Sequence, residues 1–213
     1  MRRSETIAEQ AAHPHGFLGW IIGSIMSKET KSDNDKAFDL LGVQATDRII
    51  DIGTGHGQSL THFSKMTSEG RVVGVDSSDV MLTIARRKNR AGLKSGRVEL
   101  HKASGDDLDF STASFDKALA IHTLYFWNPA LPYLQEILRV LTPGGCFVLG
   151  FRPAEDEIVV SKFPTTVYEF RTIAEVEALA REAGFSDITV LHDYVPGKSM
   201  VWLSARKPFS VAG

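Results

Sequence analysis

Between Arg48 and Asp76 the chain sets two short β-branched runs around a loop in which every second residue is glycine. Ile49-Ile50-Asp51-Ile52 enters Gly53-Thr54-Gly55-His56-Gly57, a helical pattern follows, and Val72-Val73-Gly74-Val75 ends on Asp76. Strand, glycine turn, helix, strand and acid make half of a nucleotide-binding α/β unit. Glycines reach backbone conformations closed to residues with a Cβ and let a ligand approach closely. Free N–H groups at the start of the following helix favour an anionic group. Asp76, ending its strand, can accept hydrogen bonds from both hydroxyls of a ribose.

The spacing narrows the ligand. A dinucleotide fingerprint reads G-x-G-x-x-G, whereas this loop reads G-x-G-x-G and places Gln58 at the third glycine position. Such a loop suits an adenosine joined to a carboxylate, with no pyrophosphate to wrap. Those are the parts of S-adenosylmethionine.

A chain of 213 residues fits one domain of ordinary size and can bury a sizeable core. A net charge of -2 gives no electrostatic reason to expect nucleic acid or an anionic membrane. The single cysteine, Cys146, excludes an internal disulfide framework and a cysteine-based zinc site, and its apolar surroundings predict a buried thiol. No metal site is expected. Phe17 to Met26 is too short to cross a bilayer, and the N-terminus lacks signal-peptide order, so a soluble cytoplasmic protein is expected.

Taken in order, residues 5–26 read as largely helical after Pro14, with Phe17, Leu18, Ile21, Ile22, Ile25 and Met26 at helical spacing. A short helix is predicted from Asp33 to Leu41. Residues 1–47 thus form a helical arm that lies over a ligand site, inserts at a membrane surface or packs on the core, and residues 48–213 form the domain. Strands are predicted at 48–53, 71–76, 97–102, 115–121 and 146–151. Helices are predicted at 58–67, after a Ser77-Ser78-Asp79 cap, and at 129–141. That last helix carries Leu131, Leu134, Leu138 and Leu141 on one face and stops at Pro143-Gly144-Gly145. Arg86, Arg87, Lys88 and Arg90 read as a solvated helix face. Thr172 and Glu175 give a capping-box signature, and Ile188–Leu191 with Met200–Ala205 read as an antiparallel pair. The expected fold is α/β: a doubly wound, mostly parallel seven-stranded sheet with an antiparallel C-terminal edge hairpin.

Over residues 48 to 206 the chain resembles the class I S-adenosylmethionine-dependent methyltransferases, in the branch that holds ubiquinone/menaquinone-type and other small-molecule enzymes. Asp51 to Gly57 resembles their first motif, and Gly74-Val75-Asp76-Ser77-Ser78-Asp79-Val80-Met81 the second, whose acid holds the ribose. Asp107 to Phe110 with Ser114-Phe115-Asp116 resembles the stretch that closes the adenine pocket. Ile137 to Gly145 resembles the helix and turn before the fifth strand, and Ala183-Gly184-Phe185 the start of the hairpin.

The resemblance implies S-adenosyl-L-methionine as cofactor. Asp51, Gly53, Gly55 and Gly57 would hold its methionine end, Asp76 the ribose, and Met81, Ser104 and Gly105 the adenine, with Ser77 a further cofactor-binding residue. Many relatives hold the adenine amino group with an Asp in a Gly-Asp-Ala-like run. This chain has Ala103-Ser104-Gly105 there, so either Ser104 takes the role with the Gly105 N–H, or Asp106 does so by a register shift.

After the fourth strand comes an aromatic loop, His122 to Pro129. His122 is the candidate base or hydrogen-bond anchor, and Tyr125 the candidate to position substrate or face the sulfonium. Phe126 and Trp127 read more as core than as pocket wall. The connection Arg152 to Arg171, with Phe163, Pro164, Tyr168 and Phe170, is long enough to be functional and is expected to line an apolar acceptor pocket. Arg152 reads as a partner for an acidic acceptor group or as one half of a surface ion pair. The expected partner is a small-molecule acceptor rather than nucleic acid, with no stable membrane insertion. Two rivals share the loop: a nicotinamide-dependent oxidoreductase, and a non-catalytic protein that binds the same cofactor.

Overall fold

The computed structural model describes residues 31–195 and 197–209, with side chains from Asp35 onward. The helix read from residues 5–26 lies outside them. Within them α1 (Lys31–Leu41) leads to β1 (Arg48–Ile52), α2 (Gln58–Met66), β2 (Arg71–Asp76), α3 (Asp79–Lys88), α4 (Arg90–Lys94) and β3 (Val98–Lys102). β4 (Phe115–Ile121) precedes a 3-10 turn, Leu124–Phe126. Then come α5 (Leu131–Val140), β5 (Leu141–Phe151), α6 (Glu157–Val160), α7 (Ile173–Ala183), β6 (Ser186–Asp193) and β7 (Met200–Arg206).

The strands form one sheet in the order β3-β2-β1-β4-β5-β7-β6. β1 to β5 run parallel, and β7 is antiparallel to both of its neighbours. The order reverses between β1 and β4, which opens a crevice beyond their carboxyl ends. Period-two alternation divides the core between the two faces. Ile50, Val73, Ala118 and Phe147 face α5 and α7, whose Leu134, Ile137, Val176 and Ala180 cover them. Ile49, Val72, Leu119 and Val148 face α1 and α2, covered by Phe38, Leu41, Leu60 and Phe63. Phe63, Phe115 and Phe147 are wholly buried, each stabilising the fold by about 1.5–3 kcal/mol.

Helix boundaries follow local chemistry. Ser78 caps α3 by accepting the Met81 N–H. Thr172 and Glu175 form the expected capping box on α7, and Gly184 closes that helix at φ 104. Two readings change. The buried face of α5 is Leu134, Ile137 and Val140, with Leu131 and Leu138 only half-buried. β5 begins at Leu141 rather than Cys146, because Leu141 pairs with Phe115 and an irregularity follows before Cys146 pairs with Lys117. Pro143-Gly144-Gly145 therefore bends a strand instead of separating helix from strand. Arg48 and Asp116 brace β1 against β4 through paired hydrogen bonds of 3.0 and 2.8 Å. Among the described residues no helix is long and apolar enough to cross a membrane.

Candidate functional site

At the carboxyl end of β1 the chain turns through Gly53, Gly55 and Gly57, with φ of 70, 54 and 72 respectively. All three lie in the left-handed region, which costs a residue with a Cβ roughly 1–2 kcal/mol. A Cβ on Gly53 would sit 2.2 Å from Thr123 Cγ2, and one on Gly57 2.5 Å from Asn89 Nδ2. The loop is held from below. Gly53 and Thr54 N–H both donate to Val75 O, at 2.8 and 2.9 Å. Buried Asn89 donates to Gly57 O at 2.9 Å. Gly57 caps α2 with no side chain, so its first-turn N–H groups are left to a ligand or solvent.

Asp76 ties this loop to β2. Its Oδ2 accepts the Gly55 N–H and its Oδ1 the Ser78 N–H, both at 2.8 Å. Each carboxylate oxygen has a second acceptor site, enough for a pair of vicinal hydroxyls. Asp51 is deeper, 4% exposed, and accepts a hydrogen bond from the Ser59 hydroxyl. Burial pushes its carboxyl up to about 6; the Ser59 bond opposes this and nearby Asp76 adds to it. Burial likewise raises Asp76, against the Ser78 and Gly55 bonds. Buried Asp51 with half-buried Asp76 nearby forms a site that favours a cation. Burial pushes His56 down to about 4 and Lys88 lowers it further, so its ring is neutral at pH 7.

Beyond Asp76, Ser77 is exposed and Met81 is buried. Ser104, Gly105 and Asp106 form a tight turn after β3, closed by Asp107 N–H to Ser104 O at 3.2 Å. The Ser104 hydroxyl donates to Asp106 Oδ1. The two alternative readers of an amino group are thus hydrogen-bonded to each other.

Just after β4, His122 has φ 59, a left-handed conformation that is rare outside glycine and clusters at functional sites. Its N–H stays paired with Gly150 O at 2.9 Å, and its Nδ1 lies 3.2 Å from Tyr125 Oη. Tyr125 is 5% exposed and joins three segments. Its hydroxyl accepts the Arg152 N–H at 2.6 Å, and its carbonyl accepts the Glu169 N–H at 3.0 Å. Its ring is packed by Phe126, Tyr168 and Phe170. Tyr125 therefore stands as a buried strut beneath His122, instead of presenting an open ring face. Phe163, Tyr168 and Phe170 pack on the core as one aromatic cluster, so the connection from Arg152 to Arg171 is a packed wall with a short helix, α6, within it.

The cradle leaves no room for a Cβ at Gly53 or Gly57, and buried Thr123 Oγ1 beside it has no hydrogen-bond partner among the described residues. With the paired carboxylates, these features fit an adenosyl cofactor with a cationic amino-acid end. The chain matches the family described as "Methyltransferase domain" over residues 49–145. It is 31% identical to the protein named "Probable methyltransferase ltbC" of Aspergillus luteorubrus, over 78% of this chain and 67% of that protein. The chain belongs to the class I S-adenosylmethionine-dependent methyltransferases. This methyltransferase is also 27% identical to YdaC of Bacillus subtilis, named as a methyltransferase, over 88% of this chain and 98% of that one. Its fold is similar to that of Haemonchus contortus phosphoethanolamine N-methyltransferase 2 in complex with S-adenosyl-L-methionine. There the TM-score is 0.69 at 18% identity, covering 84% of this chain and 53% of that chain.

Several residues that shape the methyltransferase site carry no motif. Ser59 holds Asp51 from inside α2, Asn89 pins Gly57 from the end of α3, and Thr123 fills the space opposite Gly53. Only Ser78 was legible, because a helix cap next to an acid is a local signal.

Proposed function

We propose that the chain transfers the methyl group of S-adenosylmethionine to a small, partly apolar acceptor entering between His122 and the aromatic wall. The observation that carries the cofactor half is Asp76. Its carboxylate binds the glycine loop and the start of α3 at once, which fixes it for the ribose hydroxyls. Asp51 and the Gly53–Gly57 loop would hold the methionine end. Ser77 would stand beside the ribose, with Met81, Ser104, Gly105 and Asp106 around the adenine. The bound cofactor supplies an electrophilic methyl group. The chain's own residues need only align the acceptor with it and exclude water, which can contribute about 7–11 kcal/mol in favourable cases.

His122 is the polar group that would orient the acceptor, with Tyr125 setting its ring from behind. Aromatic packing from Phe126, Phe163, Tyr168 and Phe170 supports an acceptor with apolar surface.

Calorimetry with S-adenosylhomocysteine tests the cofactor half. Asp76→Ala should weaken binding by roughly 1.5–3 kcal/mol, the loss expected for hydrogen bonds to a charged group. Unchanged affinity in the folded variant, or a preference of the native protein for NAD, would refute the assignment. Turnover of a panel of small phenols, amines and carboxylates, absent in every case, would favour a non-catalytic binding protein.

A further inference from the structure

Residues 80–98 carry six cations, Arg86, Arg87, Lys88, Arg90, Lys94 and Arg97, and no acid. Six positive charges against a net of -2 for the whole chain leave -8 for the rest. All six side chains are exposed, along the end of α3, α4 and the turn into β3. The acids at the two ends of this stretch are already engaged: Asp79 pairs with Lys102 at 2.5 Å, and Glu99 with Arg71 at 3.4 Å. Among the described residues Arg86, Arg87, Arg90 and Lys94 pair with no acid. Like charges gathered this closely repel one another, a cost that an anionic partner offsets.

The surrounding surface selects that partner's chemistry. A nucleic-acid backbone or a lipid leaflet extends past one pair of helices and would meet the excess of acid outside them. Among the described residues, none of the large apolar side chains that are exposed falls within the stretch, so it offers nothing to enter a bilayer or stack on a base. A short acidic segment of a protein matches it in extent and in charge.

The inner side of the same stretch holds the glycine cradle. Asn89, between Lys88 and Arg90, is buried; it donates to Gly57 O at 2.9 Å and accepts the Thr61 hydroxyl at 2.8 Å. A Cβ on Gly57 would lie 2.9 Å from that of Ala85 in α3. Lys88 donates to Gln58, the first residue of α2.

We propose that the outer face of α3 and α4 docks an acidic segment of a protein partner, and that docking raises cofactor affinity by ordering the Lys88–Arg90 segment that pins Gly57. This rests on the assignment of the cleft to S-adenosylmethionine and adds a regulatory surface to it. A partner that has already fixed this segment lowers the entropic cost of closing the loop on a second ligand, and the coupling is reciprocal.

The probe is fluorescein-labelled decaglutamate, followed by anisotropy on the full-length protein. It should bind at about 20 mM salt and weaken at least roughly tenfold by about 200 mM, as the screening length shortens. Arg87→Glu with Arg90→Glu should weaken binding roughly tenfold or more at low salt. The melting temperature should not fall, because both side chains are exposed. Reversing two exposed lysines elsewhere, Lys65→Glu with Lys198→Glu, should leave binding unchanged. Calorimetry should find S-adenosylhomocysteine bound about fivefold or more tightly once the peptide is saturating, with no such gain in the arginine variant. No binding of decaglutamate at low salt, an equal loss in the lysine control, or unchanged affinity for S-adenosylhomocysteine would overturn the proposal. Tighter binding of oligouridylate or of phosphatidylserine vesicles would overturn it too, by assigning the surface to another class of partner. If S-adenosylhomocysteine binds in neither state, the cofactor assignment falls and the coupling with it, while the anisotropy still decides the docking.

Discussion

Asp51→Asn should make the ligand-free protein more stable and its hold on the cofactor weaker. The Asp51 carboxyl is raised from 3.8 to about 6 in the fold, chiefly by burial. This reverses the usual sign for an acidic group. Between pH 4 and 6 the native state binds the proton more tightly than the unfolded chain, so stability contributed by Asp51 rises as pH falls through that window. At pH 7.5 the ionised form costs on the order of 3 kcal/mol, from about two pKa units at 1.36 kcal/mol each. Asparagine removes that cost and can still accept the Ser59 hydrogen bond, but it must place an N–H2 group in a buried site. A net gain of about 1–2 kcal/mol remains, or roughly 2–8 °C in melting temperature for a chain of this size. Affinity should move the other way. Losing a charged partner for the ammonium of S-adenosylhomocysteine should weaken binding roughly 10- to 100-fold at pH 7.5. Native affinity should fall as pH drops below 6, and more steeply than that of the variant. Calorimetry and thermal melts at pH 5, 6 and 7.5 read both quantities. A variant that melts below the native protein at pH 7.5, or parallel affinity profiles, would refute the electrostatic argument.

Gly53→Ala adds a Cβ 2.2 Å from Thr123 Cγ2 at a left-handed φ of 70, so it should lower melting temperature and cut cofactor affinity at least tenfold. Retention of native affinity would mean that the cradle does not bear on the ligand. Asp156 is buried and accepts N–H groups from Val159, Gly197 and Ser199, clamping the β6–β7 turn to α6. Burial raises its pKa, but these bonds outweigh that and hold it below the ordinary range. Its contribution is present above the unfolded pKa and is lost as pH falls through the folded one. Asp156→Ala should cost about 3 kcal/mol or more in urea melts at pH 7, with a smaller gap at pH 3. An equal gap at both pH values would show that the charge is immaterial.

The scaffold was legible because its signals are local and repeated. β-branched runs at regular spacing give strands, and glycine at alternate positions gives a turn that only glycine can make. Asp51, next to the last residue of β1, and Asp76, the last of β2, stand beside that turn for the same local reason. What escaped was set by distances in space. β5 gained its first residues because Leu141 meets Phe115, and the buried face of α5 shifted by a residue because the sheet, not the leucine count, decides which side is covered. Tyr125 has the residue type of a substrate contact, yet its hydroxyl is taken up by the Arg152 backbone, and no pattern around Tyr125 announces a partner that far along the chain. Tyr133 is the converse. It looks like one more half-buried aromatic of a helix, and only the approach of α5 to Gly105 brings its hydroxyl to Ser104. Motifs mark the residues that meet a ligand through backbone geometry, because such geometry constrains sequence nearby. Side chains that act across the fold leave no such mark: Asn89 pins Gly57 from the end of α3, and Thr123 fills the space opposite Gly53.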